Sequence, residues 1–369
     1  VRSTSWQTFR FATIYMISQP VAFLISPLIT TSGYQGWISL LIGGLISLIF
    51  LCCTVYIGRL NPGVPWVQFG EQIIGKWPHR FVLFVVLYWC VYYVSLDLES
   101  FTLFYGSTYM RETPQWFLQL LIGLVIMITA RFGFVSIVYM ADGLFLITMI
   151  GVAVILGLFT ANADFQMLPA LWTHHKMGLA VKDAFTVVSW FGEWFIFLFM
   201  VPHLKFGPKT LRNLLAACLL VTLAVSLQWL LTLLNFGPYF GARIQYPLLE
   251  LIRSSTLRGF LGNADPLLIG LWTTSMFVHD GFILYVGTKC AAQLFKFQTR
   301  KAILPLLGGT SAIFALQYSR DTARFLVDMN SMAIVGFWVL IDALPVYYAI
   351  IAYARSKLGK KHVQAEAGE

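Results

Sequence analysis

Seven ionisable side chains stand inside long apolar runs of this sequence: Asp97, Glu99, Asp142, Glu193, His279, Asp280 and Asp342. Ionisable groups at membrane depth are costly, face protein rather than lipid, and mark function. Six are acids and one is a histidine, so the acids need protons, backbone donors or His279 as partners. Glu99, Asp142, His279 and Asp342 are therefore candidates for charge or proton coupling. Tyr88, Tyr92, Ser95 and Glu99 recur at helical spacing and form one polar face, which should point into a bundle. Phe277 and Asp280 share a face further on, with His279 beside it. Nothing here makes an enzyme: there is no Gly-x-Ser-x-Gly, no His-Glu-x-x-His and no P-loop. No cofactor motif appears, and the adjacent pair His174-His175 is weak as a metal site.

The elements that must position these groups are membrane helices. Of 369 residues, 58% are hydrophobic and only 11% are charged, with a mean hydropathy of +0.75. A soluble surface needs about a quarter charged residues. Spans of about 20 apolar residues are expected at about 7–29, 34–58, 80–106, 115–131, 134–160, 183–203, 211–236, 266–290, 301–318 and 333–354. The fourth and fifth are separated only by Arg131-Phe132-Gly133. The net charge of +9 does not indicate nucleic acid, because Lys and Arg sit in short loops at helix ends. Counted on alternate sides they favour one side roughly two to one, which places both termini in the cytoplasm. The five cysteines fall in apolar runs without metal-ligand spacing and read as small buried hydrophobes. Two longer outer connections, 161–182 and 237–265, contain amphipathic pieces. Tyr246–Arg253 reads as a short helix lying on the surface. The whole is one domain, 1–361, followed by a polar tail, 362–369, expected to be disordered.

Ten spans divide into two fives, about 7–160 and 183–354, and the odd repeat length inverts the second. The first helix of each half carries helix-unfriendly residues near its middle: Ser18-Gln19-Pro20 in one, Ser189-Trp190-Phe191-Gly192-Glu193 in the other. Interrupted helices at matching positions of two halves point to a transporter-type site. A broken helix exposes N–H groups on one side and carbonyls on the other, which suits a ligand carrying both charges. A zwitterionic amino acid fits; small sugars and nucleosides stay open. The expected ligand-binding residues are Ser18, Gln19, Pro20, Tyr88, Tyr92, Ser95, Leu96, Phe191, Gly192, Glu193, Phe277 and Asp280.

A series of short motifs carries a family resemblance over nearly the whole chain. They are Gly36-Trp37-Ile38-Ser39, Asn61-Pro62-Gly63, Arg111-Glu112-Thr113-Pro114, Phe191-Gly192-Glu193, Arg243-Ile244-Gln245-Tyr246-Pro247 and Ala292-Gln293-Leu294-Phe295. In this order they resemble the permease-like B subunit of nutrient germinant receptors, within the amino acid–polyamine–organocation transporter superfamily. The resemblance implies a LeuT-like fold with broken first and sixth helices, in the inner membrane of a bacterial spore. It also implies a small-molecule nutrient as ligand, with an A subunit and a lipoprotein C subunit as partners. The family's first-span break is usually glycine-rich, whereas Ser18–Ala22 is bulkier here, and His279 replaces a basic residue frequent in the family. Two other readings remain: an active, perhaps proton-coupled amino acid transporter, and a membrane scaffold whose breaks only accommodate packing.

Overall fold

The computed structural model describes residues 4–173, 177–201, 203–204, 206–254, 265–296 and 302–366. Among them there are helices and no strands, as lipid requires of a chain that must satisfy its own backbone. The first half comprises α1 (Ser5–Phe23), α2 (Ile25–Ser32), α3 (Gly36–Leu60), α4 (Trp66–Ile74), α5 (Lys76–Thr108), α6 (Gln115–Phe132) and α7 (Phe134–Thr160). After a short α8 (Ala170–Thr173), the second half continues with α9 (Met177–Phe191), a 3-10 segment (Glu193–Met200), α10 (Pro208–Gly241), α11 (Pro247–Ser254) and α12 (Asp265–Phe295). It ends with α13 (Ile303–Tyr318), α14 (Thr322–Met329), α15 (Met332–Asp342) and α16 (Leu344–Glu366).

Among the described residues, seven helical stretches are long and apolar enough to cross a membrane: Ile25–Leu60, Lys76–Thr108, Gln115–Phe132, Phe134–Thr160, Met177–Met200, Pro208–Gly241 and Met332–Lys357. The remaining expected spans are also helical, as α1, α12 and α13. Outward-facing Leu41, Leu45, Ile49, Phe81, Leu219, Leu223 and Ile313 are exposed, the arrangement of a bundle whose outer solvent is lipid.

α1 is the central strut. A capping box starts it: the Gln7 amide donates to the Thr4 hydroxyl, and the Thr4 amide donates to the Gln7 side chain. From Phe11 through Pro20 every residue is buried, because α1 packs against α7, α10 and α12 on different sides. A helix buried all round is core rather than surface. α5 lies against α12 and α13, and α3 against α9. That last contact is close because Gly43 lacks a side chain: a Cβ there would stand 2.4 Å from Val187 Cγ1.

One expected boundary holds, one helix is new and one end moves. The narrow junction at Arg131–Gly133 is a true boundary, since Gly133 takes φ 80° and turns α6 directly into α7. α4 was not anticipated; it is a short amphipathic helix that buries Trp66, Phe69 and Ile73. α16 continues to Glu366 instead of stopping at the apolar boundary. The expected surface helix is α11, with Leu249, Leu251 and Ile252 buried beneath it. His174 and His175 lie outside the described residues.

Candidate functional site

The helix break expected at Phe191-Gly192-Glu193 is present. α9 ends at Phe191 and the chain resumes as a 3-10 segment at Glu193. A broken membrane helix must find partners for its freed carbonyls and donors. Ser47 of α3 supplies them: its hydroxyl donates to the Phe191 carbonyl and accepts from Trp194 Nε1 at 2.7 Å. Gly192 is needed for space. A Cβ on it would stand 2.5 Å from Asp342 Oδ2 and 2.7 Å from the Val188 carbonyl.

The break delivers Glu193 into a dry cluster of polar groups. Tyr15 of α1 donates its hydroxyl to Glu193 Oε2 at 2.7 Å, and His279 Nε2 lies 3.0 Å from the same oxygen. The Tyr15 and His279 rings stack with centroids 4.3 Å apart. On its other side His279 Nδ1 faces Asp280 Oδ1 at 3.4 Å and Asp97 Oδ2 at 3.9 Å. Gln19 donates its Nε2 to Asp97. All six side chains are essentially excluded from solvent. Three carboxylates and one imidazole in so dry a space cannot all carry charge without a cation or protons to balance them. The cluster draws on α1, α5, the 3-10 segment and α12, so any change in its charge acts on four elements at once.

The first break differs from expectation. α1 runs through Ser18, Gln19 and Pro20 as helix, and it joins α2 at Leu24, a residue that itself keeps helical dihedrals and bonds to Pro20 and Leu28. Pro20 removes the backbone donor that the Met16 carbonyl would otherwise receive, and neighbouring helices donate to other carbonyls on either side of it. Trp272 Nε1 donates to the Ser18 carbonyl at 3.1 Å, and Gln228 Nε2 donates to the Val21 carbonyl at 2.9 Å. Beside this junction lies a cavity of about 170 Å³. Its walls are Phe23, Ser26 and Pro27 at the α1–α2 junction, Ser100 and Leu103 of α5 and Trp190 of α9. Gln245, Tyr246 and residues of α14 close it. A larger crevice of about 570 Å³ between α6, α12 and α13 is lined by apolar residues such as Leu124 and Ile128. Both are exposed, and none of the cluster's residues lines the crevice.

The structure brings Gln19, Glu193, His279 and Asp280 together, and buries Ser18, Pro20, Leu96, Phe191 and Gly192 nearby. The polar stripe of α5 lies elsewhere. Tyr88 is 48% exposed and stacks on Tyr92. Tyr92 shares a hydrogen bond with Tyr318 at 2.7 Å, and Ser95 turns back to the Tyr92 carbonyl. The face of α5 that meets the cluster is instead Tyr93 and Asp97, one residue around the helix. Glu99 forms a separate buried site, accepting from Gln119 Nε2 at 2.6 Å and the Ser319 hydroxyl at 2.7 Å. Asp142 is tied to Arg10 at 2.7 Å near the start of α1, and Asp342 abuts Gly192. Phe277 stacks on Phe101 at 5.9 Å. Sequence reasoning missed Tyr15, and it noted Asp97 without assigning it to the site. Helical spacing held a signal for both, since Tyr15 precedes Gln19 by one turn as Tyr93 precedes Asp97.

Comparison with known proteins now has a site to act on. The sequence profile of the spore permease family, described as spore germination protein, matches residues 3–323. That is most of the chain, and it contains every member of the cluster. The chain belongs to the spore permease family. This spore permease is also 21% identical to spore germination protein XB of Bacillus anthracis over 286 residues, covering 77% of this chain and 79% of that protein. The membership makes it a multi-pass, permease-like membrane protein connected with spore germination, and its apolar helices agree. It also sets the buried cluster in a family of transporter or receptor character rather than an enzymatic one.

Proposed function

We propose that this spore permease is the nutrient-sensing subunit of a germinant receptor in the spore inner membrane. It binds a small nutrient, an amino acid by its chemistry, and passes the signal to an A subunit and a lipoprotein C subunit. In this reading the ten helical spans form two inverted fives with a LeuT-like arrangement, and both termini are cytoplasmic. The observation that carries the proposal is the cavity of about 170 Å³ between the α1–α2 junction, α5 and the Trp190 end of α9. It is smaller than the roughly 300–1,000 Å³ of sites for drug-sized ligands, and so suits a molecule of amino-acid size. Ser26, Ser100, Gln245, Tyr246 and Asn330 offer polar contacts in an otherwise apolar wall. The residues around it belong to elements that meet at the α1–α2 junction and beside the α9 break. A ligand bound there has different contacts if the interrupted helices shift, which is the requirement for moving a conformational equilibrium.

Germination dose-response tests the reading. Ser100→Leu fills the cavity and should raise the nutrient concentration needed at unchanged protein level, whereas an unaltered response would exclude the cavity as the nutrient site. The buried carboxylates support a second reading, an active and proton-coupled amino acid transporter. Uptake of labelled amino acids by the isolated chain in proteoliposomes would favour it, and absence of uptake with intact nutrient binding favours the sensor.

A further inference from the structure

Beyond nutrient sensing, we infer that Asp97, His279 and Asp280 form a binding site for a divalent first-row transition cation, of the zinc or manganese class. One ligand atom from each residue lies within 4.8 Å of the others, and all three residues are buried. The lone-pair argument starts from Glu193. His279 Nε2 stands 3.0 Å from Glu193 Oε2, and Tyr15 occupies that oxygen as a second donor. A carboxylate accepts, so the Nε2 side of the ring carries the proton. In the neutral imidazole Nδ1 then presents a lone pair, and it presents it to two acceptors, Asp280 Oδ1 at 3.4 Å and Asp97 Oδ2 at 3.9 Å. Three lone-pair-bearing atoms converging in a dry space repel each other unless a positive centre lies between them.

The spacing indicates which centre. An imidazolium donating to a carboxylate would hold it at about 2.7–2.9 Å, which is shorter than either separation. Donors placed tetrahedrally at about 2.1 Å from a metal stand roughly 3.4 Å apart, which is the separation of His279 Nδ1 from Asp280 Oδ1, and Asp97 Oδ2 at 3.9 Å would move in by about half an ångström on binding. Imidazole with carboxylates is a donor set for zinc and other first-row ions rather than for sodium or calcium. Glu193 is then the outer carboxylate that fixes the tautomer and orientation of a metal-ligating histidine. Two further oxygens are free for a fourth position. Asp280 Oδ2 and Gln19 Oε1 are buried and receive no hydrogen bond, on side chains no more than 2% exposed. A cation here would fasten α5 to α12 beside Gln19 of α1.

The test uses the full chain in detergent or nanodiscs, with His174→Ala and His175→Ala so that this adjacent pair contributes nothing. After EDTA treatment and dialysis, zinc or manganese chloride is titrated without nutrient, and retained metal and the thermal midpoint are both read. About one equivalent per chain and a raised midpoint are expected. Asp97→Asn and Asp280→Asn should each weaken retention at least about tenfold, with Glu193→Gln weakening it by about 10–100-fold as an outer-shell change. Should those variants fail to fold, the visible absorption of cobalt bound to the otherwise unaltered chain reports the same donor set. No retention at millimolar metal, or equal retention in both aspartate variants, overturns the site; a carboxyl pair sharing a proton is then what balances the charge. Nutrient-induced stabilisation measured in EDTA is a separate arm, so its failure bears on the proposed function and not on the metal.

Discussion

Glu193 is stabilised by two neighbours that can be removed separately. Tyr15→Phe keeps the ring that stacks on His279 and deletes only the hydroxyl that donates to the carboxylate. Hydrogen bonds to charged groups contribute about 1.5–3 kcal/mol in soluble proteins and less across membrane helices. We expect a loss of about 1–2 kcal/mol in unfolding free energy, followed by thermal or denaturant unfolding of the purified protein; no change would mean that the contact is not formed. Gly192→Ala should be worse, because the new methyl meets both a backbone carbonyl and Asp342. Overpacking of that kind costs about 1–3 kcal/mol. Adding Asp342→Ala should recover part of the loss but not all, since the Val188 carbonyl remains 2.7 Å away. Complete recovery, or none, would contradict that geometry. Of these residues, Glu193, Gly192 and Asp342 are legible from the chain, because charge in an apolar run and glycine before an acid are local signals. Tyr15 is not, since a tyrosine in an apolar helix reads equally as core, interface or site.

At the scale of elements, the discontinuous helix depends on α3. Ser47 links both sides of the α9 break, so Ser47→Ala leaves the Phe191 carbonyl and the Trp194 indole without this partner. Each unsatisfied buried group costs about 1–3 kcal/mol, and the thermal midpoint should fall accordingly. An unchanged midpoint would show that the break is held by other contacts. α1 and α7 meet at the Arg10–Asp142 ion pair, whose side chains are 39% and 24% exposed. Screening limits such a pair to no more than about 1 kcal/mol, so Arg10→Ala should change stability little. The exchanged pair, Arg10→Asp with Asp142→Arg, should restore whatever either single change removes. Failure to restore in a double-mutant cycle would dismiss the contact. The two expected helix breaks were not equally readable. Gly192 marks its own break because a glycine beside an acid has both room and polarity to interrupt the helix. Pro20 does not break α1 where it stands, because a membrane helix packed on several sides tolerates a proline.

For the whole molecule, the proposed ten crossings have a direct consequence. In a cysteine-free background, Thr4→Cys and Ser356→Cys should react with an impermeant maleimide from the same side of sealed vesicles. Labelling from opposite sides would remove one crossing from the ten and with it the inverted repeat. Length, composition and hydropathy determined by themselves that the chain is a helical membrane protein, where most helices lie and where α9 is interrupted. Those properties follow from burial along one dimension, which apolar runs, loop charges and breakers record locally. Only the tertiary structure decided which face of α5 enters the cluster, Tyr93 and Asp97 rather than Tyr88 and Tyr92. A helix offers several faces, and lipid and protein interior are both apolar, so hydropathy cannot tell which face meets which. The rotation of α5, the stacking of Tyr15 on His279 and the convergence of Asp97 with Asp280 are set by side chains that other helices bring to them.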